Sequence, residues 1–376
     1  MKELYRCRIK KAVALLLPIV LFLVIAQNFL FSYNDRNTDR IRRFYNEEPN
    51  SLDVVFLGAS EVLAGFAPGY AYDQCGFTSY MYAIDSNTGS LYTPQLKEVL
   101  SCQNPQVVFV EVFGFLRGGD TELADESRLR IFTESIPMSR NKLETIMEYP
   151  YENKISCFFP FLKYHGNLGM PLGNVEAALK DPMFLDKKAP SKLKGITTIT
   201  EIYEGPGDAG NPNDEFAAAL SADALNYLTD FLEYCKAENL QNVVFVNFPR
   251  YLLNEEQHDL PRLVDQVEEI VKGYGFQLLD LQNEKETIGI DHETDFYNSH
   301  HLNVYGQMKL TEYIGDLVIN GYGIVPLDQS PESKAQWETA ANCTTEYFEM
   351  AKRAIEDGQK LEIYEDHEIW FARKEN

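Results

Sequence analysis

Asp53-Val-Val-Phe-Leu-Gly-Ala-Ser-Glu61 is the stretch from which the rest of the chain can be read. Its apolar run, Val54–Leu57, is short and continuous, the pattern of a strand buried on both faces of a parallel sheet. The run stops at Gly58, and Ser60 follows two residues later, ahead of a helix-compatible segment, Glu61–Ala64. A serine there stands just past the carboxyl end of a strand, where open α/β sheets bind ligands. Its N–H, at a helix start, can face developing negative charge. The competing reading is local: serine is a favoured helix N-cap, and Ser60 would then only close the helix end.

Outward from this strand, strand-like and helix-like segments alternate. Thr78–Ala83 leads through Asp85-Ser-Asn-Thr-Gly89 into a helix reaching about Leu100, and Pro105 introduces a strand over Val107–Phe113 that ends at Gly114. Helix Glu215–Glu238, strand Val243–Phe248, helix Pro261–Gly273 and strand Gln277–Leu281 continue the order further on. Repeated β-then-α order predicts a mainly parallel sheet with helices on both faces, a three-layer α/β/α domain. The break between the two halves, Leu116–Glu215, is too long for a plain loop. It is expected to be an insertion with helices near Asn141–Tyr149 and Val175–Lys180. Its closing Gly205-Pro-Gly-Asp-Ala-Gly210 lacks the lysine of a phosphate loop and reads as a turn. The expected divisions are a basic stub and apolar span (1–33), a stalk or first helix (34–52), the main domain (53–326) and a tail (327–376). The tail holds a helix, Glu332–Asp357, and a short strand pattern over Leu361–Phe371.

A second informative stretch, Asp295-Phe-Tyr-Asn-Ser-His-His301-Leu-Asn-Val-Tyr-Gly306, precedes a predicted helix, Asn303–Ile319. A hydroxyl nucleophile needs a base within hydrogen-bond reach, and that base needs an orienting partner. Gly-x-Ser after the first strand, with His-Leu-Asn-x-x-Gly before the last helix, resembles the SGNH/GDSL hydrolase superfamily over roughly Asp53–Ile319. The resemblance implies a flavodoxin-like sheet, Ser60 as nucleophile and His301 as base. It puts Asn298 where the family has an aspartate, three residues before the histidine. Asp295 is then the carboxylate expected to substitute for it if the loop bends, and His300 is the rival to His301. The implied oxyanion donors are the Ser60 N–H, Gly89 after the second strand, and the third-strand block Glu111-Val-Phe-Gly114. The family's asparagine is missing from that last block, which leaves Gly114. Asn87 is either an inward-pointing amide or only a turn residue.

Within the superfamily the chain looks most similar to membrane-anchored, extracytoplasmic members related to the teichoic acid D-alanyl transfer protein and to alginate O-acetyltransferases. This implies a serine esterase or acyltransferase acting on small acyl esters of cell-envelope glycans, with a membrane acyl-transport protein as a candidate partner. The reading from another class is a catalytically weakened surface protein that keeps the fold to bind a glycan or that partner. Of the remaining polar residues, Arg250 follows a strand and would either bind an anionic polymer or pair with a nearby acid. His165, in the insertion, would line the cleft or be structural. His292, between Asp291 and Glu293, has no second histidine at helical spacing, so neither a metal nor another cofactor is expected.

Composition narrows the partners. A net charge of −23 over 376 residues excludes nucleic acid and opposes lying flat on an anionic membrane. Six cysteines without Cys-x-x-Cys spacing favour buried thiols, with Cys75 and Cys102 as the one candidate bridge. The N-terminal Met1–Lys11 is basic, and Ala12–Phe31 is apolar except for Gln27 and Asn28. Twenty residues make about 30 Å of helix, enough to cross a bilayer. Val24-Ile-Ala26 imitates a signal-peptidase site weakly, so an uncleaved signal anchor is expected over a cleaved signal peptide. The domain is expected outside the cell membrane as a single-pass protein, although Arg36, Arg40, Arg42 and Arg43 after the span leave the charge asymmetry slight.

Overall fold

The structure is a computed structural model and describes residues 8, 10–22, 36–116, 125–166, 191–205, 219–252, 259–359, 361–363 and 371–372. Five parallel strands form the main sheet: β1 (Val54–Gly58), β2 (Ser79–Ala83), β3 (Val107–Glu111), β5 (Val243–Asn247) and β6 (Gln277–Asp280). Their order across the sheet is β2-β1-β3-β5-β6. Chain direction across the sheet therefore reverses between β1 and β3, and the carboxyl ends flanking that point are where doubly wound sheets place their sites.

Period-two alternation divides each strand between two cores, as a sheet covered on both sides requires. Val55, Leu57, Tyr80, Val108 and Phe245 face one core, which helices Tyr92–Cys102, Ala222–Ala237 and Asp259–Gly273 cover. Val54, Phe56, Met81, Phe109 and Val246 face the other, covered by helices Ser60–Gly65, Pro68–Cys75 and Val304–Asp316. The α/β class with a parallel sheet is thus as the alternation predicts.

Three segments differ in detail from the sequence reading. The polar stretch after residue 34 is a helix, Arg36–Phe44, and it packs into the domain instead of standing off as a stalk. Ile41 and Phe44 are fully buried, and its polar groups are buried because they are paired. Arg43 Nε donates to Asp39 Oδ2 at 2.8 Å, and Arg40 Nε donates to Gly195 O at 2.9 Å. The insertion forms helices Glu126–Ser135, Arg140–Glu148, Lys154–Phe158 and Phe161–Tyr164, and ends in a short strand, β4 (Thr198–Ile199). The helix expected over Val175–Lys180 lies outside the described residues. β4 pairs antiparallel with β7 (Leu361–Ile363), which pairs with β8 (Phe371–Ala372), so the tail returns to the insertion. Cys75 and Cys102 are thiols and form no bridge.

Residues 10–22, the end of the basic stub and the first half of the apolar stretch, are helical and exposed throughout. Among the described residues no helix is long and apolar enough to cross a membrane. The second half of the expected span, 23–31, lies outside them.

Candidate active site

β1 ends in a tight turn whose shape is set by what lies beneath it. A Cβ on Gly58 would stand 2.7 Å from Glu111 Cβ and 2.5 Å from Val62 Cγ2, so only glycine fits. Ala59, not Ser60, occupies the N-cap position of helix Ser60–Gly65, and it has no side chain with which to cap. The capping reading of Ser60 therefore fails. Its hydroxyl lies 2.7 Å from His301 Nε2, across 241 residues of chain.

The histidine loop is held from several sides, and this explains the spacing of its motif. Phe296 and Leu302 form an isolated antiparallel bridge, and both side chains are buried. Asn303 Oδ1 caps helix Val304–Asp316 by accepting the N–H of Tyr305 at 2.9 Å. Its Nδ2 donates to Thr294 O at 2.7 Å and to Glu201 O at 3.0 Å. Gly306 is required because a Cβ there would meet Asp295 O at 2.5 Å. His-Leu-Asn-x-x-Gly is thus the ring facing Ser60, core anchor, cap and close approach in turn.

Behind His301 stands Asn298. Its Oδ1 accepts the backbone N–H groups of His300 and His301 at 3.0 and 2.9 Å, which fixes which way the amide faces. Asn298 Oδ1 then lies 3.1 Å from His301 Nδ1, and Asn298 Nδ2 lies 2.9 Å from the same atom. The amide therefore serves either tautomer. With the proton on Nδ1, donated to Oδ1, Nε2 carries the lone pair that can accept the Ser60 proton. With the proton on Nε2, Nδ2 donates to Nδ1 and the base function is lost.

Asp295 does not take over the orienting position. It is buried, and its carboxylate accepts from Lys309 Nζ at 2.6 Å, Asp291 N at 2.8 Å and Thr294 Oγ1 at 2.9 Å. These bonds hold it in the loop's base, facing the following helix. His300 lies beside His301, ring centroids 4.4 Å apart, with its Nδ1 2.9 Å from Ser299 Oγ. Of the two histidines, His301 is the one that meets the serine.

The expected oxyanion donors divide. Asn87 is buried and its Nδ2 is engaged by Gly58 O at 3.1 Å and Gln95 Oε1 at 2.7 Å, so it braces the end of β1. The Gly114 N–H is directed to the Tyr92 hydroxyl. Ser60 N–H and Gly89 N–H are the members of the set that no acceptor among the described residues takes. His165 is exposed, with its Nδ1 3.0 Å from Leu162 O. No three metal-binding side chains cluster among the described residues. His292 instead stacks on Phe296, with Lys285 Nζ 3.3 Å from its Nε2.

Beneath Ser60 is a buried charge cluster, of which the sequence suggested only the pairing of Arg250 with an acid. Glu111 Oε2 accepts the Ala59 N–H at 2.7 Å and the Tyr92 hydroxyl at 3.2 Å. Glu61, the residue after Ser60, forms a buried ion pair with Arg250, whose guanidinium lies 3.7 Å from the Phe113 ring centroid. Arg250 is thus the acid-paired arginine of the two readings, 3 % exposed. Burial, and then the charge of neighbouring Glu61, push the Glu111 carboxyl well above the usual range. As two carboxylates, each would bury an oxygen with no donor; a proton on Glu111 satisfies both. The signal for this cluster was a lone acid ending an apolar strand, Val107-Val-Phe-Val-Glu111.

No protein-family model matches the chain, and no curated protein matches it in sequence.

Proposed function

We propose that the protein is a serine hydrolase or acyltransferase of the SGNH/GDSL type, with Ser60 as nucleophile and His301 as general base. The observation that carries this is the 2.7 Å approach of His301 Nε2 to Ser60 Oγ, with Asn298 on the far side of the ring. The sheet order, with Ser60 at the β1/β3 reversal, supports the same fold type. In the reaction, His301 Nε2 takes the Ser60 proton as Oγ attacks an ester carbonyl. The tetrahedral oxyanion would face the Ser60 and Gly89 N–H groups. Collapse expels the alcohol with the proton from His301 and leaves an acyl-enzyme, which water or an acceptor hydroxyl then resolves.

The substrate class proposed is a small acyl ester on a cell-envelope glycan, with the domain held outside the cell membrane by the Ala12–Phe31 span. Residues 10–22, helical and all in the exposed class, favour an element that meets lipid instead of the domain. A second reading, a binding protein with a weakened site, draws on the neutral Asn298 and on the engagement of Asn87 and Gly114 by other groups.

A fluorophosphonate separates the two. The enzyme reading expects covalent labelling of the full chain that Ser60→Ala abolishes. Labelling that survives in Ser60→Ala moves the nucleophile elsewhere, and absence of labelling in the parent chain favours the binder.

A further inference from the structure

Nine large apolar side chains beyond residue 36 are exposed among the described residues, and six of them lie between residues 138 and 162. They are Met138, Leu143, Met147, Ile155, Phe159 and Leu162, with Met138 74 % and Ile155 65 % exposed. Leu143 and Met147 stand four apart on helix Arg140–Glu148, so they share its outer face, while Thr145 and Ile146 face inward. Lys154 Nζ donates to Met147 O, which brings helix Lys154–Phe158 alongside. Phe159 and Phe161 meet edge to face at 6.2 Å. A concentration of this kind marks an interaction surface.

We infer that this face of the insertion docks into the interfacial layer of the lipid bilayer, holding the domain against the membrane in one orientation. The inference rests on the proposed Ala12–Phe31 anchor, and chain geometry identifies the occupant. Five steps separate Phe31 from Arg36, about 18 Å at full extension. Helix Arg36–Phe44 therefore begins close to where the span leaves the bilayer. Arg42 lies about 9 Å further along that helix. Arg42 Nη2 donates to Glu134 O at 3.3 Å, and its charge acts on Lys142, one residue from Leu143. Ile41, Phe44, Phe132 and Ile146 share one core, so the helix bearing Leu143 and Met147 packs in the same body as the tethered helix.

Charge permits this contact here. Residues 138–163 carry four basic and three acidic side chains, in a chain whose net charge is −23. This surface is thus not repelled by lipid headgroups as the rest of the exterior would be. Of the aromatics in this segment, Phe159 is exposed and Phe161 half-buried beside it, a residue type suited to the membrane–water boundary.

The test is photo-crosslinking of the full chain in nanodiscs of phosphatidylethanolamine and phosphatidylglycerol with no other protein. p-Benzoylphenylalanine replaces Met147 or Phe159, with Val325, also 74 % exposed, as the apolar control site. Lipid adducts at 147 and 159, several-fold above those at 325 and lost when Leu143→Glu and Ile155→Glu are added, are the expected result. A chain that enters the nanodisc without adducts above the control overturns the docking and leaves the anchor standing. Cross-links to a second copy, or to 167–190 of the same chain, overturn it in favour of those occupants. A chain that does not enter the nanodisc overturns both the docking and the anchor. Fluorophosphonate labelling of Ser60 in the same samples reports the catalytic reading separately.

Discussion

Substituting Asn298 by aspartate tests how His301 is oriented. The new carboxylate would inherit the N–H groups of His300 and His301, at 3.0 and 2.9 Å, and would accept the Nδ1 proton at the position where Oδ1 now lies 3.1 Å away. Two effects follow. Only the tautomer with Nε2 unprotonated would be supported, and the imidazolium formed as Ser60 attacks would gain a full opposite charge. At about 4 Å between charge centres and an effective dielectric of 20, that attraction is about 4 kcal/mol. Both residues are half-buried, and solvent screening reduces it to about 2 kcal/mol. At 1.36 kcal/mol per tenfold, Asn298→Asp should raise kcat on an activated aryl acetate by roughly 30-fold. The acid limb of its pH–rate profile should also move upward, because the imidazolium is stabilised. Asp295→Ala, measured alongside, should leave kcat little changed and lower stability by about 1–3 kcal/mol, since it removes the acceptor of three hydrogen bonds from the loop's base. The reasoning is refuted if Asn298→Asp is no faster than the parent chain while Asp295→Ala loses turnover at unchanged stability.

Two further outcomes test the supports of the site. The Glu111 carboxyl is pushed up in the fold, so the native state keeps its proton to higher pH than the unfolded chain does. The Glu111 contribution to stability should therefore be fully present below about pH 4.3 and fall by about 1.4 kcal/mol per unit as pH rises towards the raised Glu111 pKa. Glu111→Gln keeps an acceptor for Ala59 N–H and offers a donor to Glu61, and it should remove that slope; parallel urea-unfolding curves from pH 5 to 7 for both proteins would contradict this. Gly306→Ala should destabilise by about 1–3 kcal/mol through the 2.5 Å clash with Asp295 O, although alanine ordinarily favours a helix by about 1 kcal/mol. A raised thermal midpoint in that variant would show that the loop can shift at little cost.

What was legible in the sequence is what local rules dictate. The β1 run, the glycine at its end and the Leu-Asn-x-x-Gly frame each follow from burial, close approach or capping within a few residues. Ser60 and His301 could therefore be placed before their contact was known. Asp295 could not, because its direction depends on Lys309, fourteen residues on, and on the Asp291 N–H. The polar stretch holding Arg36–Phe44 reads as either a stalk or a first helix, because composition does not reveal that Arg40 reaches Gly195, 155 residues away. The Glu61–Glu111 contact was hidden for a similar reason. It requires β1 and β3 to be neighbours and one carboxyl to be protonated, and neither can be read from residue types alone.

The position of charge around Ser60 is the physical character of this site. The histidine is oriented by a neutral amide, while the acid at the end of β3 lies under the nucleophile turn and clamps it through the Ala59 N–H. Glu61 and Arg250 close that cluster as an ion pair, so the nucleophile is held rigidly without a net charge beneath it. Rigidity of the serine and weak stabilisation of the imidazolium act on different parts of the barrier. The first lowers the entropic cost of attack, and the second leaves proton transfer to the leaving group poorly assisted. Under the proposed serine-hydrolase reading, such a site would suit esters whose leaving oxygen needs little protonation, or transfer between hydroxyls of similar basicity, where the proton lost by the acceptor matches the one gained by the donor. Hydrolysis of unactivated alkyl esters asks most of the imidazolium, and there the cost of Asn298 is largest.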